Sequence, residues 1–462
     1  MHTKFPLILL IFSALQVSVL HAEELPRYLL QAEILPDTTT EVTVKLQVGG
    51  DMLVADEKEE KELPLNVAGE FSYVEKIVAW TAGAEEPARS LRQYDRAEAQ
   101  IEVAEQSSQR KLPAGQDLLI AEIRDGENTL VAPGQALTRE QYDLVNIVAN
   151  SLAIDRLLPG KAVSEGESWE HDKETLKSLL AMDHLAVCEV SSVVTKLSNR
   201  EVQIRMAGTV DGTVDGAPTE MELRAAYLFH LDQKRITAFN LAIKESRKKT
   251  EIVPGLDVVA KAFVTLKPRV KPLEVPQEVA AVAQRMQQPL ERKLVYQSPK
   301  RGFSFEYDPA WYITAEERDL FSFRYLKDHQ LAAHCNLSVL PPRSEGRHTT
   351  LDEFERDVRE ALEGKLETVS ASTEWQTPLG YHCLGVIANG TVKGVPIQWR
   401  HYLVAEDDCP RLSLAVTLEQ IQGEKFADAE RQMIDSLKLS PVEPVEEKTP
   451  AETAENRENA VR

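Results

Sequence analysis

Between residues 202 and 243 the chain alternates apolar and polar side chains with a period of two. Val202, Ile204, Met206 and Val210 are separated by Gln203, Arg205 and Thr209. Asp215-Gly216 supplies a turn, after which Met221, Leu223, Ala225, Tyr227, Phe229 and Leu231 alternate with polar or small residues. Thr237, Phe239, Leu241 and Ile243 repeat the pattern. Three such runs in succession predict an antiparallel meander with one buried face and one wet face. A sheet of that width must cover its apolar face with helices or curl on itself. Two helical segments are available as cover. Thr138 and Gln141 form a capping box, followed by Leu144, Val145, Val148 and Leu152 at helical spacing up to Pro159-Gly160. A second helix is expected over residues 173–182, with Leu176, Leu179 and Leu180 on one face.

Before these helices, residues 23 to about 135 read as short strands and charged turns. Residues 41–48 alternate and end at Gly49-Gly50-Asp51, the acidic run 56–62 reads as a solvated turn, and residues 118–131 read as a hairpin about Asp125-Gly126. Residues 23–268 are therefore expected to form one α+β domain, an antiparallel curved sheet shaped like a half-barrel. In outline this resembles the lipoprotein-carrier folds of the bacterial envelope. If the half-barrel is hollow, Tyr227, Phe229, Phe239 and Leu241 are candidates to line a cavity for a lipid or other apolar ligand. Core packing is the plainer reading of Trp80, Tyr94, Trp169, Tyr227 and Phe229.

Pro268, Pro272 and Pro276 mark a linker over residues 269–299, with a short helix over 277–288. Residues 300–440 carry a connected set of signals. Gly302-Phe303-Ser304-Phe305 opens a strand, Tyr307-Asp308-Pro309-Ala310-Trp311 follows, and Asn336-Leu337-Ser338-Val339 is a further strand. Thr350-Leu351-Asp352-Glu353 is a capping box for a helix with Leu351, Phe354, Val358 and Leu362 on one face. A two-residue loop at Lys393-Gly394 pairs Val392 with Val395, so that Leu384 faces Leu403, Val386 faces His401 and Ala388 faces Trp399. A last helix ends in Ile434-Asp435-Ser436-Leu437. This ordered set resembles the PsbP/DcrB/Mog1-like superfamily over under a third of the chain. The resemblance implies an α/β sandwich that acts by binding proteins or as an accessory subunit, with no shared catalytic residues.

The first residues suit export. Lys4 precedes an apolar run over residues 5–20, and small residues around Ala22 suit signal peptidase, so residues 1–22 are read as a signal peptide. The chain is then expected to be periplasmic or secreted, with no membrane span after cleavage. Residues 441–462 are Pro- and Glu-rich and are expected to be a disordered acidic tail. The formal net charge of −21 argues against nucleic-acid binding, which needs cations to neutralise phosphates.

Catalytic motifs are missing from the sequence: there is no nucleophile elbow, zinc-protease helix, phosphate loop or dinucleotide fingerprint. His382 and His401 share a sheet face but lie roughly 13 Å apart along it, too far for one metal ion. His401 is read as a core histidine with a hydrogen-bond partner. His171 and His184, beside Asp172, Glu174 and Asp183, are read as solvated helix ends. Residues 211–216 are read as a hairpin turn, since they lack the ligand spacing of a calcium loop. Cys188 is read as a buried thiol. The disulfide connectivity of Cys188, Cys335, Cys383 and Cys409 stays open, although Cys383 and Cys409 should sit about 9–10 Å apart on strands flanking a third. No cofactor, metal or catalytic residue is expected. The leading expectation is a non-catalytic binding or scaffold protein of the envelope with a protein partner; the alternatives are an apolar-ligand carrier and an enzyme of unrecognised type.

Overall fold

The computed structural model describes residues 26–55, 60–83, 85–327, 330–342, 348–426 and 428–441. The signal-peptide and acidic-tail expectations lie outside these residues, apart from Pro441. The chain is mostly antiparallel sheet, and the sheets are open, not closed into a barrel.

The largest sheet has twelve strands. In spatial order from one edge they are Glu127–Val131, Leu118–Arg124, Ala88–Val103, Glu60–Ala79, Thr39–Ala55, Gly255–Pro268, Arg235–Arg247, Ala217–His230, Glu201–Val214, His184–Leu197 and Ser168–Glu170, with Gln106–Lys111 paired to the third. The alternation over residues 202–243 is realised: Val202, Ile204, Met206, Tyr227, Phe229, Phe239 and Leu241 are all buried on one face. The Asp215-Gly216 turn joins Val214 to Ala217. The strands before residue 104 are longer than the sequence suggested. Thr39–Ala55 and Glu60–Ala79 run 17 and 20 residues, and Lys61 and Glu62 of the acidic run already pair with Val54 and Leu53. Exposed glutamates and lysines on the wet face fit a strand as well as a turn.

Three short helices cover the buried face: α1 (Arg139–Val145), α2 (Ser151–Ile154) and α3 (Lys173–Leu180). The capping box at Thr138 is present. The single helix expected up to Pro159 is broken into α1 and α2. Asn146 ends α1 outside the helical region, Ala149 is left-handed at φ 65°, and the Asn150 side chain caps α2 by accepting from Leu152 N. Asparagine side chains that bond to nearby backbone favour caps over helix interiors. Cys188 is half-buried, not buried, because a bulge between Leu185 and Val187 turns Ala186 and Val187 outward.

Helix α4 (Gln277–Ala283) sits on the opposite face of one wing of the sheet, packing Val279 and Ala283 on Leu91 and Ile120. Residues Leu294–Ser298, expected in the linker, form a strand that pairs with Phe303–Tyr307. Beyond it lies a seven-stranded antiparallel sheet in the order Trp311–Glu316, Leu320–Lys327, Gln330–Leu340, Arg411–Glu419, Val395–Ala405, His382–Val392 and Leu366–Gln376. Val392 pairs with Val395, and His401 with Val386, as the two-residue loop requires. Helix α5 (Leu351–Ala361) has its capping box and packs Phe354 and Val358 on Leu384, Val386 and Leu403. One continuous apolar core joins the twelve-stranded sheet to Trp311, Phe321 and Phe323 of the carboxy-terminal part.

A cavity between the curved sheet and the carboxy-terminal part

The covered face of the sheet is not evenly filled. Along Thr39–Ala55 the inward residues Val42 and Val44 are buried, but the next two on the same face, Leu46 and Val48, stay half-exposed. Val67 on the adjacent strand does the same. These side chains form the floor of a cavity of about 380 Å³, together with Met221, Leu256 and Val258. That volume is within the roughly 300–1,000 Å³ usual for small-molecule sites. The break between α1 and α2 supplies Ile147 and Val148 to the walls, and Pro309 and Tyr312 close it from the carboxy-terminal part.

Charge gathers at one end. Phe239, Leu241 and Ile243 point inward, and the same phase continues into Glu245 and Arg247. Arg247 donates to Glu245 at 2.6 Å and faces Asp215 at 3.8 Å. Tyr312 donates its hydroxyl to Asp215 at 3.0 Å. Arg139 stacks on the Tyr312 ring, 4.5 Å from its centroid, and donates to the carbonyls of Pro309 and Trp311. Asp143 stands 4.0 Å from Arg139. Its side chain borders the cavity and is half-exposed (51 %), and partial loss of solvation pushes its carboxyl up to about 6.

A second, more polar hollow of about 340 Å³ adjoins the first. Tyr142, Asp183, Arg292 and Tyr312 line both, so they form the neck between them. Arg292 lies over the Tyr142 ring at 5.0 Å and donates to its hydroxyl.

The four residues singled out for an apolar cavity lie together, but within packed core. Tyr227 packs tilted against Phe239 at 5.9 Å and donates to Ser192 Oγ, and Phe229 pairs with Ile236. Leu241 borders a shallow hollow on the outer face beside Phe263. The cavity opens farther along the same strands. Trp80 and Trp169 donate to the carbonyls of Leu152 and Leu157, tying the helical cover down.

Other candidates fall apart as sites. Asp172 caps α3, and His171 bonds Ser192, with burial pushing its imidazole down to about 4. His382 pairs with Glu374 at 2.8 Å. His401 lacks the hydrogen-bond partner expected for it: Nε2 is buried and unpaired, and burial pushes the ring down to about 4, which keeps it neutral. All four cysteines are free thiols. No cluster of three or more metal-ligating side chains occurs among the described residues, and no described helix is long and apolar enough to cross a membrane.

No family model matches the chain, and no curated protein matches it. Among solved structures, a Bacteroides thetaiotaomicron protein is similar over 32 % of this chain and 48 % of its own, at 12 % identity and a TM-score of 0.24. The PsbP protein of Synechocystis sp. PCC 6803 is similar over 32 % of this chain and 92 % of its own, at 11 % identity and a TM-score of 0.27. Lipovitellin is similar over 53 % of this chain, at 13 % identity and a TM-score of 0.31, and the chain spans about a quarter (26 %) of its length. These identities and scores assign no family.

Proposed function

We propose that this chain is a non-catalytic, exported binding protein that holds an amphipathic small molecule in the cavity beneath the curved sheet. The supporting observation is the half-exposed apolar floor of Leu46, Val48 and Val67 on the otherwise buried face of the sheet. Apolar side chains left uncovered on a core-facing surface lose roughly 25 cal/mol for each Å² not buried. An apolar ligand restores that burial. A protein-binding role is the second reading, favoured by the exposed Phe263 and Val259 on the outer face of the same sheet. Export is expected to show as a mature chain beginning at Glu23 on amino-terminal sequencing.

The test is native mass spectrometry of gently purified protein, followed by titration with a neutral fluorescent apolar probe. Ala260 also lines the cavity; co-purified ligand mass, and saturable probe binding that the bulkier Ala260→Phe abolishes, are the expected results. A clean apo mass with no saturable binding of the probe removes the proposal.

A further inference from the structure

The neck between the two hollows carries a guanidinium, that of Arg292. Among the described residues no carboxylate is ion-paired with Arg292, and its one hydrogen bond goes to the Tyr142 hydroxyl. Arg139, the nearest other cation acting on it, spends one guanidinium nitrogen on two backbone carbonyls and meets Asp143 only at 4.0 Å. The two guanidiniums repel each other. Asp143 faces Arg139, and the other acidic groups around them each accept a hydrogen bond. Glu245 accepts from Arg247, Asp215 accepts from Tyr312, Asp183 accepts from Gly216 N, and Asp308 accepts from Ala310 N. A planar guanidinium with N–H groups to spare, placed against an aromatic ring, can make two-point contact with a carboxylate or phosphate.

Resting on the function proposed above, we infer that the bound amphipath is an anion. Its carboxylate or phosphate head seats on Arg292 and Arg139 at the neck, its tail lies on Leu46, Val48 and Val67, and the polar hollow is its way in.

Three probes separate the parts of this statement on the full chain: a long-chain polyene fatty acid, the alcohol of the same chain, and a lysophosphatidic acid used as competitor. The acid is expected to bind about 10-fold or more tighter than the alcohol, the scale of one charge-assisted pair. Arg292→Gln is expected to collapse that preference. If the competitor displaces the acid at lower concentration than the acid's own dissociation constant, the head is a phosphate; if not, a carboxylate. Equal binding of acid and alcohol, or a preference that survives Arg292→Gln, overturns the head-group assignment while the cavity stands. Failure of both acid and alcohol to bind wild-type protein overturns the cavity reading instead. Should Arg292→Gln not fold, Arg292→Lys keeps the charge and loses the planar fork. It is then expected to retain only part of the preference, and an undiminished preference overturns the assignment.

Discussion

Asp143 is a half-exposed carboxylate whose ionised form loses part of its solvation to the protein around it. Its surroundings are mixed in sign, with Arg139 and Arg110 lowering its pKa and Asp215 and Glu140 raising it, but loss of solvation dominates. A folded-state value of about 6 against an ordinary 3.8 means that the folded chain holds this proton more tightly than the unfolded chain. Stability from this group is therefore full below the ordinary value and is lost as pH rises toward 6. Asp143→Asn, which cannot ionise, is expected to be more stable than wild type at pH 7–8, by at most roughly 1 kcal/mol because solvent screens the half-exposed carboxylate. The gain should vanish below about pH 4. Denaturant midpoints at both pH values check this, and an equal gain at both points to packing instead of charge. The same titration bears on the ligand. Neutralising Asp143 removes a negative charge near the neck, so an anionic probe should bind more tightly at pH 5 than at pH 8.

At the scale of elements, the linker is held by a buried ion pair. Arg89 bonds Glu122 inside the sheet wing and also donates to the carbonyls of Ala283 and Gln288. Arg124 donates to the carbonyl of Met286, and Leu290 N donates to Glu122. Breaking a buried pair from one side costs about 3–5 kcal/mol because the other charge is stranded. Glu122→Ala should therefore destabilise the chain by that amount and expose residues 284–290 to limited proteolysis. An unchanged cleavage pattern would show that α4 alone holds the linker. A second element depends on Gly208, whose φ is +156° and whose added Cβ would meet Glu189 O at 2.0 Å. Gly208→Ala is expected to cost roughly 1–3 kcal/mol by the same equilibrium measurement, where a neutral result would show that the strands can part.

Much of this layer was legible in the sequence. The meander, both capping boxes and the Val392–Val395 register follow from period, caps and turns, which are local. The cavity was not, because whether Leu46 is covered depends on where α1 stops, and Asn146 stops it. The aromatics at 227, 229 and 239 drew attention by size, which is what fills a core. A usable signal was present in the charged pair Glu245 and Arg247, which continues an inward apolar phase and marks the place where that phase meets something other than core.

At the scale of the molecule, the cavity exists only if both parts of the chain hold their places, since its floor comes from one and Pro309 and Tyr312 from the other. Several contacts bind them. Leu137 pairs with Leu294 in parallel, Tyr312 reaches Asp215, and the Gly216 turn packs against Leu326. The apolar core is continuous across the junction. Arg139 is a polar tie across the junction, because it reaches two carbonyls of the carboxy-terminal part while anchored in α1. Two parts that share a core and a charged tie should unfold together. Calorimetry of the wild-type chain is expected to give one transition whose calorimetric and van't Hoff enthalpies agree. Arg139→Ala leaves those carbonyls without their donor and should cost roughly 2–4 kcal/mol, the scale of hydrogen bonds to a charged group. It should also begin to separate the transition into two. Two resolved transitions in the wild type would mean that the neck is assembled only when ligand arrives. Ligand would then merge them, which a scan with saturating fatty acid reads directly.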